Sequence, residues 1–255
     1  MKKIWIPLLA VLAVLLAGVA VMLLRVVSNP WEAQRLGDIP APAGFERVAA
    51  DSASYTAFLR DLPLKEKGSR VCLYNGKKAR MQMISSAVVD LPLIHFYEQC
   101  ADVTMRIRAE YLWSNGRYDE IRFTDMDGKE YAFGGKVTRK KFKAFMVKVF
   151  THCNTASVYA ETTPRAIRDI QPGDILVYAS RKDGSLGHAV LVADVARDPS
   201  GRIAILCVEG NTPARSIHVV RNLNPFRNPW FFLDPDGEGI RLSFSHFKAD
   251  ELRHY

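Results

Sequence analysis

Three apolar runs in the carboxy-terminal half most narrow what this chain can fold into: residues 174–178, 188–195 and 203–208. Their length, their apolar and β-branched content and the bounding Pro172-Gly173, Gly187 and Gly210 read as strands. A fourth run, residues 217–220, extends the series into an antiparallel meander. Helical periodicity lies upstream of it. Helices followed by such a meander give an α+β class, with helices packed on a sheet.

Upstream, Asp51 or Ser52 can cap a helix through Leu62, with Tyr55, Phe58, Leu59 and Leu62 on one stripe. Over residues 97–113, Cys100, Val103, Ile107 and Tyr111 recur three or four apart, and residues 140–150 repeat the pattern with Phe142, Phe145, Met146 and Val149. Residues 71–74 and 85–89 read as strands about Asn75-Gly76. Residues 118–123 and 130–133 read as a hairpin about Asp127-Gly128.

Lys2 and Lys3 precede an uninterrupted apolar run over residues 4–24, closed by Arg25. A spanning helix needs about 20 residues. Residues 1–25 therefore read as a transmembrane signal anchor, with the lysines cytoplasmic and the remainder outside. Cleavage as a signal peptide after Gly18-Val19-Ala20 is the alternative. Residues 26–44, with Pro30, Pro40 and Pro42, read as an extended tether, and residues 45–255 as one domain. The expected location is the cell envelope, anchored in the inner membrane through residues 4–24 with the domain extracytoplasmic, or secreted or periplasmic after cleavage. The net charge of +8, gathered partly in Arg139-Lys140-Lys141-Phe142-Lys143, suits anionic headgroups or wall polymers. No nucleic acid is expected as a partner in that compartment.

His188 opens one predicted strand, and Glu209 and Asn211 stand at the end of the next. An imidazole with a carboxylate or amide to orient it is the base half of a hydrolase site. Cys153, just ahead of a short helix-like segment, is the expected nucleophile, because a helix start and a nearby imidazole both activate a thiol. The even set Cys72, Cys100, Cys153 and Cys207 carries a competing reading in an exported chain. Three full disulfide pairings are open, a Cys100–Cys153 bridge among the candidate bonds, and a bridged Cys153 cannot attack. Asp102, Arg106 and Glu110 recur at spacings of four; with Arg108 they form either a solvated helix face or the lining of a substrate-binding pocket. His152 and His188 lack partners at metal-ligand spacing, and there is no phosphate-binding glycine loop, so no metal or other cofactor is expected.

The segment Pro172-Gly173-Asp174-Ile175-Leu176-Val177-Tyr178, followed by Gly187-His188-Ala189-Val190-Leu191-Val192, resembles the core of papain-like amidases of the NlpC and CHAP type. In those families a cysteine at a helix start attacks an amide and the strand histidine serves as base. Glu209 and Asn211 resemble the CHAP pair that orients this histidine. The resemblance implies a papain-like antiparallel sheet with packed helices. A longer resemblance runs through Phe58-Leu59-Arg60-Asp61-Leu62-Pro63-Leu64, Gln99-Cys100-Ala101-Asp102, Arg106-Ile107-Arg108-Ala109-Glu110-Tyr111, Gly187-His188-Ala189-Val190 and Pro229-Trp230. These blocks are similar to the bacterial domain-of-unknown-function family 4846, which implies no established activity. Its Gly-Thr-x-Ser-Leu pattern falls on Asn154-Thr155-Ala156-Ser157-Val158 and brings in Ser157, or Thr155, as an alternative nucleophile.

The expected function is that of an envelope amidase or peptidase acting on peptidoglycan or other wall peptides, with His188 as base and Cys153 or Ser157 as nucleophile. Two alternatives stand beside it. One is a catalytically inactive papain-like module that binds a peptide or wall fragment through Asp102, Arg106, Arg108 and Glu110. The other is a structural envelope protein with paired cysteines.

Overall fold

A computed structural model describes residues 27–181 and 184–255, together with the single positions Val11 and Gly18. The expected anchor or signal segment thus lies, those two positions apart, outside the described residues. Among the described residues no helix is long and apolar enough to cross a membrane.

In chain order the strands are β1 (Glu46–Arg47), β2 (Ser85–Val88), β3 (Arg122–Thr124), β4 (Glu130–Ala132), β5 (Thr163–Pro164), β6 (Ile175–Tyr178) and β7 (His188–Arg197). They continue with β8 (Ile203–Glu209), β9 (His218–Val220), β10 (Phe231–Leu233), β11 (Gly239–Arg241), β12 (His246–Lys248) and β13 (Leu252–His254). The α-helices are α1 (Tyr55–Arg60), α2 (Cys100–Ser114), α3 (Arg139–His152) and α4 (Thr155–Glu161). The principal sheet has nine strands in the order β2-β9-β8-β7-β6-β13-β5, with β1 also paired to β7 and β10 to β8. Its pairs are antiparallel, and β3–β4 and β11–β12 form separate hairpins. The chain is a mixed α/β protein built on an antiparallel sheet with few helices.

The strands at the centre read as unbroken apolar runs because both of their faces are covered. Val177, Ala189, Leu191 and Ala193 join Val103 and Ile107 of α2 in one core cluster. Leu176, Val190, Val192 and Val195 join Phe231, Phe247 and Leu252 in a second. Only Asp194 breaks the apolar run of β7, and the register against β8 shifts between Val192 and Asp194. Its fully buried carboxylate accepts from Arg47 Nε at 2.5 Å and from Arg60 Nε and Nη2 at 3.0 and 2.7 Å. The short β1 and the end of α1 are thereby tied to the sheet centre. Asp194→Asn leaves two guanidinium groups without their countercharge and is expected to cost about 3 kcal/mol, read as a lowered urea midpoint with unchanged slope.

Several boundaries differ from expectation. Helix α1 starts at Tyr55, capped by Ser54, whose Oγ accepts from Ala57 N at 3.2 Å, so neither Asp51 nor Ser52 is the cap. Residues 71–74 make only isolated bridges, Cys72 with Lys78 and Leu73 with Arg215. The described part of residues 26–44 is packed rather than extended as a tether. Leu36 and Ile39 have no exposed surface, Asn29 bonds Ala33 and Lys65, and Trp230 Nε1 donates to Pro40 O at 2.8 Å. Burial of two branched apolar side chains outweighs the local signal of the prolines.

The difference that matters most is at α2. It begins at Cys100, three residues later than its periodicity suggested, with Gln99 as the extended cap residue. Asp102 Oδ2 accepts from Gln99 N at 2.8 Å and closes the first turn. A cysteine expected partway along a helix face stands instead at the helix start.

Candidate active site

Antiparallel pairing brings the start of β7, the end of β8 and the start of β9 together, since Leu191 pairs with Val208 and Glu209 with His218. His188, Glu209 and His218 therefore meet at one end of the sheet. Helix α2 aims its first turn at the same point because Gly210 has no side chain. A Cβ there would lie 2.6 Å from Val103 Cγ2 and 3.1 Å from Gln99 O. Gly187 works similarly on the other flank, where a Cβ would lie 2.0 Å from Thr155 Oγ1 and 2.8 Å from the Tyr178 carbonyl. Each glycine admits a close approach that any larger residue would block.

Within this corner His188 Nε2 lies 3.0 Å from Glu209 Oε2, and Cys100 lines the same cleft, near enough for its thiol to bear on the proton affinity of the ring. With Nε2 taken by the carboxylate, Nδ1 is the ring nitrogen left for the sulfur. The other oxygen of Glu209, Oε1, lies 3.3 Å from His218 Nε2. His218 is fully buried and donates from Nδ1 to Ser216 O at 2.9 Å. Glu209 thus has an imidazole facing each oxygen, His188 at hydrogen-bond distance and His218 in ion-pair range.

The electrostatics follow from this packing. Burial alone disfavours the His188 imidazolium, but Cys100 and the hydrogen bond and charge of Glu209 outweigh it and raise its pKa to about 10. Burial likewise opposes ionisation of Glu209, yet the two histidines hold its carboxyl down at about 2. A carboxylate locked in its charged form beside a basic imidazole is suited to orient that imidazole and to stabilise its positive charge.

The remaining expected site residues are placed as follows. Cys153 ends α3, is buried, and lines the same cleft as Cys100. Burial, with the charges of Glu161, Asp125 and Asp102, pushes its thiol up to about 12, the opposite of activation. The thiol that borders His188 in the cleft is that of Cys100. Ser157 is buried in the first turn of α4, where its Oγ accepts from Asn154 N at 3.2 Å. Asn211 lines the cleft, but its Oδ1 accepts from Thr212 N at 2.8 Å, and Glu209 rather than Asn211 meets the histidine. All four cysteines are free thiols, so no Cys100–Cys153 bridge forms.

Of the four residues expected to bind substrate, only Asp102 lines the cleft. Arg106 is buried against Glu98 at 2.7 Å, with Glu110 at 3.5 Å. Glu110 is paired with Arg139 at 2.8 Å, and Arg108 lies over the ring of Tyr255. The expected solvated stripe is thus largely an internal charge network. Among the described residues, no group of three or more His, Cys, Asp or Glu side chains is disposed to hold a metal ion.

Cys100, Leu186, Gly187 and Thr212 sit where two arms of the cleft join. One arm, of about 350 Å³, adds Tyr97, Asp102, Phe150 and Asn154. The other, of about 470 Å³, adds Met81, Phe244 and Arg215. Arg215 bonds only backbone carbonyls, those of Pro213 and Thr212, and no carboxylate among the described residues lies in ion-pair range of it.

Sequence reasoning placed His188 and Glu209 in the site, read Cys100 as a helix residue open to a disulfide, and read His218 as a core histidine in a strand-like run that could face the cleft. The signal for Cys100 was Asp102, an acid placed to accept the Gln99 N–H and start a helix there. His218 was legible only as a strand histidine. It joins the site through strand pairing alone.

No curated protein and no solved structure matches the chain. The family model described as Domain of unknown function (4846) matches residues 37–136 and 134–254. With nearly all of the described residues covered by that match, the chain belongs to the family of this domain of unknown function.

Proposed function

We propose that the chain is a cysteine-type hydrolase of papain-like arrangement, of the NlpC and CHAP kind, with Cys100 as nucleophile, His188 as general base and Glu209 as the residue that orients it. The observation that carries this reading is the chain of contacts from the Cys100 thiol at the start of α2 through the His188 ring to the Glu209 carboxylate. His188, raised to about 10, already holds the proton as the Cys100 sulfur attacks an acyl carbon, and the imidazolium gives that proton to the leaving amine. A thioester to Cys100 results. Water then attacks it, His188 takes the water proton, and the carboxylic acid leaves. The first backbone N–H groups of α2 have no intrahelical acceptors and are suited to hold the oxyanion.

The substrate class proposed is a peptide of the cell envelope. The apolar run over residues 4–24 behind Lys2-Lys3 supports an extracytoplasmic location on a membrane anchor. Arg215 in the wider arm supports a substrate that bears a carboxylate. His188→Ala tests the chemistry directly. Iodoacetamide alkylation of Cys100, followed by mass spectrometry at that residue, is expected to slow at least about tenfold in His188→Ala, with an unchanged circular dichroism spectrum. Equal rates in the two proteins would sink the proposal, and saturable binding of wall peptides without turnover would turn it into the inactive-module reading.

A further inference from the structure

We infer that the narrower arm of the cleft is a subsite for a primary ammonium group of the substrate, received by Asp102. The inference rests on the reading of Cys100 as nucleophile and adds what lies next to it. Asp102 is nearly fully buried and lines this arm together with Cys100, Tyr97 and Phe150. One of its oxygens, Oδ2, is used by Gln99 N, whereas Oδ1 is buried without a hydrogen-bond partner. A buried carboxyl oxygen with no donor is costly unless a ligand supplies one. No cationic side chain among the described residues lies in ion-pair range of Asp102, since Arg106, one turn along, is turned to Glu98 and Glu110.

A second observation sets the sign of the charge this arm favours. The Cys153 thiol, on the same wall, is pushed up by burial and by the combined charges of Glu161, Asp125 and Asp102. The lining of this arm holds the acid Asp102 and, among the described residues, no cationic side chain, while the arm beyond Cys100 carries the cation Arg215. Burial also raises the Asp102 carboxyl, to about 8, so at pH 7 the empty arm holds it mostly as the neutral acid, and a bound ammonium group supplies the countercharge that favours its ionisation. An ammonium donor received by Asp102 would lie in the arm that Cys100 also lines. That places a substrate amine close to the bond under attack. Both an α-amine and a lysine-type side-chain amine offer this chemistry.

The test is protection of Cys100 in the full-length chain against iodoacetamide at pH 7, read by mass spectrometry at Cys100. The probes are alaninamide, N-acetyl-lysinamide and the uncharged N-acetylalaninamide. At least one of the two ammonium compounds is expected to protect Cys100 at a concentration at least tenfold lower than the uncharged one, and Asp102→Asn is expected to erase that difference. Protection by alaninamide alone assigns an α-amine, protection by N-acetyl-lysinamide alone a side-chain amine, and protection by both any primary amine. If neither protects better than N-acetylalaninamide, or if a folded Asp102→Asn variant keeps the difference, the subsite is overturned. Should that variant fail to fold, the wild-type comparison decides alone. Slow alkylation that does not depend on His188 would instead refute the hydrolase reading, and protection remains measurable in that case.

Discussion

Cys100→Ala is expected to abolish hydrolysis, with kcat/KM for a cleaved peptide falling by at least about 10³-fold, while Cys153→Ala stays within about threefold of wild type. The asymmetry follows from where the two thiols sit. Cys100 occupies the first turn of a long helix and lines the cleft with His188. The first turn of α2 and the imidazole both border the cleft at that point. Cys153 is buried at a helix end, where burial and three carboxylates keep its proton on. A short iodoacetamide pulse should mark the same difference, with Cys100 alkylated first and Cys153 and the fully buried Cys207 protected until the fold opens. Retained activity in Cys100→Ala, or faster labelling of Cys153, would refute this assignment.

Glu209→Gln is the second change with a large expected effect, and it acts on catalysis and on stability together. An amide cannot balance the His188 imidazolium, so kcat is expected to fall by about 10² to 10⁴. The stability effect follows from the direction in which the fold moves each group. Glu209 is held down at about 2 from its ordinary 4.5, so its contribution is full above about pH 4.5 and is lost as pH falls through about 2. Its size is about 3 kcal/mol, at roughly 1.4 kcal/mol for each tenfold change in proton affinity. His188 is raised to about 10 from 6.5, so its contribution is full below about pH 6.5 and is lost as pH rises through about 10. These are two sides of one interaction and do not add. Wild-type melting temperature should therefore hold a plateau between about pH 4.5 and 6.5 and fall on either side, and Glu209→Gln should be lower within that plateau and lose the step on its acid side. An unchanged acid limb in the variant would show that Glu209 is not the linked group.

What could be read from the chain before its fold was known is uneven for physical reasons. The strands β6, β7 and β8 were legible because burial on both faces writes itself as continuous apolar sequence, punctuated by Gly173, Gly187 and Gly210. His188 and Glu209 were legible because each stands at the boundary of such a run. The helix at 100–114 was legible as a helix, but its first residue was not. Periodicity reports a repeating face and says little about which turn comes first. The polar stripe of α2 was read as solvated or pocket-lining because local spacing cannot distinguish a surface charge pair from Arg106 and Glu98 paired inside the protein.

The sequence by itself determined the antiparallel α+β class, the strands that carry His188 and Glu209, and the family to which the chain belongs, since each is written in contiguous residues. Tertiary structure decided which thiol borders the histidine, that His218 faces the far oxygen of Glu209, and that Asp102 alone of its stripe opens onto the cleft. Cys100 and His188 are joined by the packing of α2 onto β7 and β8, and Glu209 and His218 by strand register. Helix packing and register are long-range relations set by buried surface and by the close approaches at Gly187 and Gly210. Local pattern does not encode them.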